Sequence, residues 1–362
     1  MSISTLSFNS SSRASLLKLQ SSIGEATQEL NSGRHADVGR TLGRLTGSAI
    51  SARAQETTFK EQQVSNGLVA TRLDNIEASL ATVSEGAEAL SNNLIGISVA
   101  TNFSTIVDEA KSGLQQMAAA LNTSSGQFLF GGDNTNVQPI KADRTAANAA
   151  TELNFSNFVR AATGGSNPSA VTAEQMSAYL SGTGFTPDPT APVPVPAPTT
   201  PAPYKFADLF SDTEWAANWS TASNGSIDSP ISKTETINAS ATANDVAFRN
   251  IASAYTLIAG LNVASLGDAA RKVVTDAAAI QLRAGTDRIT TLRADVGTKL
   301  KRIESANTEL LRQQDIMEKT VSKLEDVDIT EAGLRVNALK TQLEAAYTVT
   351  GKIQSLSLLN YI

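Results

Sequence analysis

Few side chains in this sequence have the type and spacing that catalysis or metal binding requires. His35 is the only histidine and cysteine is absent, which excludes disulfides, zinc–thiolate sites, cysteine nucleophiles and two-histidine metal motifs. A Ser-His-Asp triad would depend on His35, which lies in a Ser/Gly/Arg segment typical of an exposed loop. The sequence contains neither of the two common glycine-rich phosphate-binding motifs.

One group of acidic residues has the composition of a metal site, namely Glu325, Asp326, Asp328 and Glu331. Its spacing does not match an EF-hand loop, and it lacks the central glycine of that loop. A helix start explains two of the four residues, because Asp328 has a glutamate three residues later. We therefore predict no catalytic residue, no metal and no cofactor, and we interpret the chain as a non-enzyme.

The composition favours helices packed side by side. Of the 362 residues 41% are hydrophobic, but only 5% are aromatic. The net charge is −6 and no run of basic residues occurs, so neither nucleic acid nor an anionic membrane surface is a predicted partner. No apolar run is long enough for membrane insertion, and we expect no cleaved secretion signal.

Two long helical arms carry apolar residues at the spacing of a left-handed supercoil. The first arm contains Val69, Leu73, Ile76, Leu80, Val83, Ala87, Leu90, Leu94 and Ile97. The second arm has an apolar residue at every seventh position, namely Ile289, Val296, Ile303, Leu310, Met317 and Leu324. Its other row is weaker and includes Lys299, Ala306 and Gln313. This pattern predicts helices that pack against two or more partners.

Shorter helices are predicted between the arms. Thr105 with Asp108, and Ser265 with Asp268, have the spacing of a capping box at a helix start. The third predicted helix covers residues 246–261 and places its apolar residues on one side. Those residues are Ile251, Tyr255, Ile258 and Leu261.

The middle of the chain, residues 132–242, is predicted to be non-helical because Asn, Thr, Ser, Gly and Pro dominate it. Eight of the eleven prolines lie between Pro187 and Pro203, which favours an exposed polyproline spacer. Just before the middle, residues 127–130 are a strand candidate. Trp215 and Trp219 predict a small satellite core, and a ligand-stacking pair is the alternative.

Each end of the chain forms a helix with one apolar stripe. The first helix is predicted to end at Gly33 and the last to begin after Asp328. One stripe cannot offset the entropy cost of ordering about twenty residues, so we expect the ends to order on each other and on neighbouring subunits. The predicted assembly residues are Leu16, Leu19, Ile23, Leu30, Val336, Leu339, Leu343, Ala346, Ile353, Leu356, Leu358 and Leu359.

The layout of apolar ends, long inner arms and a variable centre resembles the flagellin superfamily. The run from Glu29 to Arg34, preceded by Leu19 and Gln20, is similar to the family's LQ and EL-x-SG-R signature. Further on, residues 302–304 and 322–331 are similar to its RLE and S-x-x-EDxD-x-x-E signatures, and residues 356–362 match its apolar tail. Residues 35–40 depart from the acidic, proline-containing segment of many members. The resemblance covers residues 1–132 and 243–362.

Within the superfamily, residues 126–132 and the Asn-Tyr-Ile ending are more similar to hook–filament junction subunits of the hook-associated protein 3 type than to flagellin. The resemblance implies a mainly α fold, with an elongated antiparallel bundle of long arms, terminal assembly helices and a smaller β/loop insert. The implied domains are an N-terminal assembly helix (1–40), two halves of an inner helical arm (41–131 and 243–325), a variable insert (132–242) and a C-terminal assembly helix (326–362).

The resemblance also implies a location and a set of partners. The location is the extracellular flagellum, reached through the flagellar type III channel without a cleaved signal. The partners are further copies of the chain in a ring or tube, a sister hook-associated protein, flagellin, and an export chaperone that holds the C-terminal helix.

Three alternatives remain open. The chain is flagellin itself, which polymerises indefinitely, or a flagellin-like surface adhesin that binds glycans near Trp215. The third is an intracellular coiled-coil scaffold.

Overall fold

The protein is mainly α-helical, as predicted. A computed structural model, which is 73% helical, describes the backbone of residues 5–96, 103–190, 194 and 196–359, and their side chains except those of residues 5–9, 95–96 and 353–359. The helices are α1 (Thr5–Ser32), α2 (Val38–Leu42), α3 (Thr46–Gly96), α4 (Phe103–Leu121), α5 (Thr145–Thr163), α6 (Ala173–Leu180), α7 (Asp212–Glu214), α8 (Val246–Gly260), α9 (Asp268–Glu325) and α10 (Ile329–Leu359). No helix within these described ranges is long and apolar enough to cross a membrane.

The remaining regular structure is short. Strands β1 (Asp228–Pro230) and β2 (Thr236–Asn238) pair antiparallel, with Ser229 opposite Ile237. Short 3₁₀ turns lie at Gly43–Leu45, Pro168–Ala170, Ala207–Phe210 and Val263–Ser265, and a π turn lies at Trp215–Trp219.

The chain forms two compact units. The terminal unit comprises residues 1–63 and 307–362, and the central unit comprises residues 64–306. The borders fall within α3 and α9, so each unit contains a part of both long helices.

The predicted heptad row of the first arm forms part of the core of the central unit. Its seven members from Leu73 to Leu94 are buried, Val69 is half-buried, and Ile97 lies outside the described residues. The row of the second arm is also confirmed where it enters this unit, at Ile289, Val296 and Ile303. An ion pair of 2.6 Å between Arg293 and Glu77 links α9 to α3 beside this core.

Close approach of α8 to its neighbours completes the core of the central unit. A Cβ atom added to Gly113 of α4 would lie only 2.5 Å from Cε1 of the Tyr255 ring. A Cβ atom added to Gly285 of α9 would likewise lie 2.4 Å from Cγ1 of Ile251. Glycine is therefore required at both positions because any side chain would overlap these buried groups.

Two predicted helix starts are wrong. Helix α4 begins at Phe103, so Thr105 lies inside it and is not the N-cap. The half-buried Phe103 ring packs on the core, and its centroid is 5.7 Å from the Arg271 guanidinium. These contacts favour the longer helix. Helix α9 begins at Asp268, and Ser265 belongs to a 3₁₀ turn whose carbonyls accept hydrogen bonds from Arg271. Helix α8 agrees with the prediction and has Asp245 as its N-cap.

The prediction that residues 132–242 are non-helical is also wrong, because α5 and α6 lie there. Helix α5 buries Phe155, Phe158 and Val159, and α6 begins with a capping box between Thr172 and Gln175. Packing of these apolar residues overrides the high content of Asn, Ser and Gly around them. Residues 127–130 do not form the predicted strand: within them only Phe128 makes an isolated bridge, to Ser124, while Leu129 and Phe130 are buried in the core.

Aromatic side chains are concentrated in this middle region, where they form one cluster. Trp215 and Trp219 stack at 5.4 Å between ring centroids, and Phe158 stacks on Tyr179 at 4.1 Å. Phe206 and Phe210 connect the two pairs. The tryptophans are 2% and 3% exposed and belong to the main core of the central unit, so they form no separate satellite and offer no open stacking face.

Candidate assembly interface

The predicted apolar stripes of α1 and α10 meet inside the terminal unit. Three contacts fix their direction: Gln20 donates a 2.8 Å hydrogen bond to Tyr347, Glu29 accepts one from Arg335, and Leu30 faces Gly333. Residue numbers rise along α1 while they fall along α10, so the two helices are antiparallel. The pairing brings the two ends of the sequence side by side, as expected from their matching stripes.

One helix partner covers these stripes only in part. Val336 is buried, and the other predicted assembly residues with described side chains are half-buried. These half-buried residues are Leu16, Leu19, Ile23, Leu30, Leu339, Leu343 and Ala346. The side chains of Ile353, Leu356, Leu358 and Leu359 lie outside those described, although the backbone of α10 extends to Leu359.

A second set of apolar residues on the same helices is exposed. Leu17 on α1 is 66% exposed, and Leu334 and Val349 on α10 are 67% and 55% exposed. These residues were not predicted as assembly residues because they fall outside the single row that the heptad spacing selects.

The segments that follow α1 and α9 pair through their backbones. Gly33 ends α1 with φ +68°, a left-handed conformation in which glycine is favoured. The chain then forms an antiparallel bridge between Arg34 and Asp326, in which His35 N–H donates to the Glu325 carbonyl and Val327 N–H to the Gly33 carbonyl, both at 2.9 Å. Two segments that resemble family signatures, 291 residues apart at Arg34 and Glu325, are therefore direct neighbours.

Two buried carboxylates hold this junction, which we call the terminal clamp (Glu29, Arg34, Arg53, Glu325 and Arg335). Glu325 is 2% exposed and binds the guanidinium of Arg53, with Arg34 at 3.9 Å. Glu29 accepts hydrogen bonds of 3.2 Å from Arg335 and from the backbone N–H of residue 36. Buried carboxylates require such partners because desolvation of an unpaired charge is costly.

Helix capping accounts for another acidic residue of the cluster. The Asp328 carboxylate accepts hydrogen bonds from the backbone N–H groups of Thr330, at 2.7 Å, and Glu331, at 3.3 Å. These two bonds lower the pKa of Asp328. Because the folded-state pKa is depressed, the contribution to stability is present above the unfolded-state pKa and is lost as the pH falls through the folded-state value.

The acidic residues near residue 325 therefore serve ion pairing and capping. Asp326 accepts a hydrogen bond from Ser322 and lies 3.7 Å from Arg34. In the part of the chain that the structure describes, no group of three or more potential ligands could hold a metal ion. His35 lies with its Nδ1 3.7 Å from Glu29 at the edge of the terminal clamp, where no nucleophile accompanies it in the contacts described.

Comparison with known proteins identifies one matching region. Residues 282–362 match the family model described as the bacterial flagellin C-terminal helical region, and this range contains both C-terminal signature segments. Among solved structures, the chain is similar to a Vibrio parahaemolyticus protein described as a flagellar hook-associated protein, with 10% identity and a TM-score of 0.49. That match covers 76% of this chain and 95% of the other. A search of curated proteins finds no match.

Proposed function

We propose that this chain is an exported structural subunit of the bacterial flagellum that forms the hook–filament junction. The observation that carries the proposal is the antiparallel pair of α1 and α10, whose apolar stripes one partner covers only in part. The match of residues 282–362 to the flagellin C-terminal helical region supports the same assignment, because this range contains α10 and most of α9.

In this proposal the half-covered stripes are the assembly interface. Covering exposed apolar surface lowers the free energy by roughly 25 cal/mol for each Å² removed from water. Stacking of α1 and α10 against equivalent helices of neighbouring subunits covers the remaining area. Contacts of this head-to-tail kind repeat without closing on two subunits and generate rings or helical tubes.

The terminal clamp has a separate role in the same proposal. It fixes the ends of α1 and α9 relative to each other, so the two assembly helices present one surface to a neighbouring subunit. Residues 1–40 and 326–362 are then the assembly segments. The proposed partners are copies of the chain, a sister hook-associated protein, flagellin, and an export chaperone that binds the C-terminal helix before export.

The junction role rests on residues 126–132 and on the Asn-Tyr-Ile ending, both of which also distinguish the proposal from flagellin. A junction subunit meets unlike partners on its two axial sides, whereas a filament subunit meets its own kind. The adhesin alternative is not favoured, because both tryptophans near its proposed glycan site are buried and stacked on each other.

The decisive experiment is imaging of the labelled protein on intact cells of the source bacterium, with a deletion strain for comparison. We expect one spot at the base of each filament, and hooks without filaments together with secreted unpolymerised flagellin in the deletion strain. Label along the whole filament would transfer the assignment to flagellin. Label confined to the cytoplasm would favour the coiled-coil scaffold.

A further inference from the structure

A cleft in the central unit has no role in the proposed assembly. It has a volume of about 560 Å³ and lies along α5, with α4 and α8 forming its other walls. Leu114, Phe155 and Val159 supply apolar lining, while Lys111, Arg144 and Arg160 supply positive charge. Its volume is within the range of about 300–1,000 Å³ that is typical of small-molecule sites.

Two arginines of this cleft lack the anionic partners that most other arginines of the unit have in the described part of the chain. Arg249 and Arg288, on α8 and α9, each form an ion pair with an aspartate. Arg144 is half-buried, and the one hydrogen bond that its guanidinium makes with the described residues, of 3.3 Å, is to the Leu114 backbone carbonyl. Arg160 forms no ion pair with a described carboxylate, and its Nε atom is buried without an acceptor. Burial lowers the pKa of Arg144, as expected for a cation that is desolvated without a counter-ion.

The charge of the lining is unusual for this chain. Glu152 is the one acidic residue of the cleft, beside three cations, whereas the whole chain has a net charge of −6. Lys111 lies one turn before Leu114 on α4, and Arg144 binds the Leu114 carbonyl, so two positive charges flank the same end of the cleft. The apolar residues Phe155 and Val159 lie further along α5, towards Arg160.

We propose that this cleft binds an amphipathic organic anion, with its acidic group at the Arg144–Lys111 end and its apolar body against Leu114, Phe155 and Val159. Charge complementarity selects the anion, because Arg144 gains the counter-ion that the protein does not supply. The apolar lining selects a hydrocarbon body over a simple inorganic ion. Arg160, at the opposite end, limits the length of an apolar body and offers a second polar contact.

The test uses the full-length chain and three probes in isothermal titration calorimetry. The probes are decanoate below its micelle concentration, decan-1-ol as its neutral analogue, and inorganic phosphate as an anion without an apolar body. We expect one decanoate per chain, weaker binding at high salt, and about tenfold weaker binding of each of the other two probes. Equal affinity for decanol and decanoate, tight binding of phosphate, or no decanoate binding at millimolar concentration would each overturn the proposal.

Matched variants locate the site. Arg144→Gln is expected to weaken decanoate binding about tenfold, because one charge-assisted hydrogen bond is lost. Arg283→Gln is the control, since it removes the same charge from an exposed residue of α9 outside the cleft. Lys111 is exposed and already lies 3.8 Å from Asp108, so Lys111→Gln is expected to weaken binding by only about threefold. Unchanged affinity in both cleft variants would place decanoate elsewhere, for example on the exposed apolar surface of the terminal unit, and refute the assignment.

Discussion

The two units use similar long helices but bury very different side chains. Among the described residues, the buried hydrophobic side chains of the terminal unit are few and half of them are alanine. They are Ala26, Ala49, Ala52, Phe59, Leu310, Val321, Ala332 and Val336. The central unit buries the heptad rows of both arms, the whole apolar face of α8 and a cluster of aromatic rings.

The exposed side chains show the reverse distribution. The terminal unit is about a third of the chain, yet it contains most of the large hydrophobic residues that are exposed in the described part. They are Leu17, Leu45, Ile50, Leu311, Ile316, Ile329, Leu334, Tyr347 and Val349. The terminal unit is held by the ion pairs of the terminal clamp, whereas the central unit is held by an apolar core. Buried ion pairs fix the relative position of helices more than they stabilise the fold. This distribution favours the proposal that the central unit is complete by itself and that the terminal unit is stabilised by partners.

The strongest test of this comparison makes the same substitution in both units. Leu80→Ala creates a cavity in the core of the central unit, because Leu80 is 2% exposed, and should lower the free energy of unfolding by about 3 kcal/mol. Leu343→Ala affects a half-buried residue and should cost about 1 kcal/mol or less in the monomer. Both tryptophans belong to the central unit, so urea unfolding followed by tryptophan fluorescence reports that unit alone, and hydrogen exchange reports α10.

Assembly should reverse this order. The Leu343→Asp variant places a charge in the proposed interface and should block incorporation into flagella, while the fluorescence transition of the central unit stays unchanged.

The monomer measurement can contradict the comparison. If Leu343→Ala lowers the free energy of unfolding of a verified monomer as much as Leu80→Ala does, the terminal unit has a complete core of its own.

A smaller effect is expected from adding one methyl group to the core of the central unit. Gly113→Ala forces a Cβ atom to within 2.5 Å of the Tyr255 ring and should destabilise that unit by about 1–3 kcal/mol. Gly67→Ala is the control, since its added Cβ atom would meet no neighbouring group within 4 Å and α3 should gain about 0.5–1 kcal/mol from the better helix former. Thermal unfolding followed by fluorescence measures both. Equal effects of the two changes would mean that the contact between α4 and α8 is loose.

The terminal clamp should have a local effect. Arg53→Gln removes the main partner of the buried Glu325, which leaves Arg34 at 3.9 Å as its remaining cation. We expect a loss of about 1–2 kcal/mol, less than for a fully buried pair because Arg53 is about half exposed. Hydrogen exchange should increase around residues 322–328 and remain unchanged at α8. Arg44→Gln, at an exposed arginine outside every described ion pair, is the control; equal exchange in both variants would contradict the role of the clamp.

Regular spacing made much of the fold predictable. The heptad row from Leu73 to Leu94, the helix end at Gly33 and the cap at Asp328 follow local rules, because side-chain period and capping act within a few residues. The starts of α4 and α9 did not follow these rules. Phe103 and Arg271, which are 168 residues apart, contact each other beside those two helix starts, and no local pattern contains that information.

The candidate site was predictable to a lesser degree. The stripe residues on α1 and α10 could be identified, and so could their need for further partners, but the exposed Leu17, Leu334 and Val349 beside them were not predicted. The terminal clamp was missed as a unit because Glu29 and Glu325 gain their cations only when distant segments meet. The acidic group near residue 325 has the composition of a metal site without its spacing, but the sequence did not reveal that the charges nearest to Glu325 are arginines.

The smallest expected effect concerns the proline-rich segment, which the sequence predicts to be a spacer over residues 187–203. The structure restricts that interpretation, because Thr199 and Thr200 both accept hydrogen bonds of 3.0 Å from the fully buried Asn157. Inserting ten Gly/Ser residues between Pro196 and Ala197 should change the stability of the central unit by less than about 0.5 kcal/mol, since loop closure depends weakly on length.

Asn157→Ala is the matched comparison for that insertion. It leaves the Thr199 backbone N–H without its 3.1 Å acceptor inside the protein and should cost about 1–3 kcal/mol. Together, the two variants distinguish a part of the segment that acts only as a spacer from a part that is anchored to Asn157. Unfolding followed by tryptophan fluorescence measures the stability of both variants. If the insertion costs as much as Asn157→Ala, residues before Thr199 also contribute to the core of the central unit, and that unit then depends on its proline-rich segment over the whole length. If neither change has an effect, the contact with Asn157 does not anchor the segment, and the core of the central unit ends at α5.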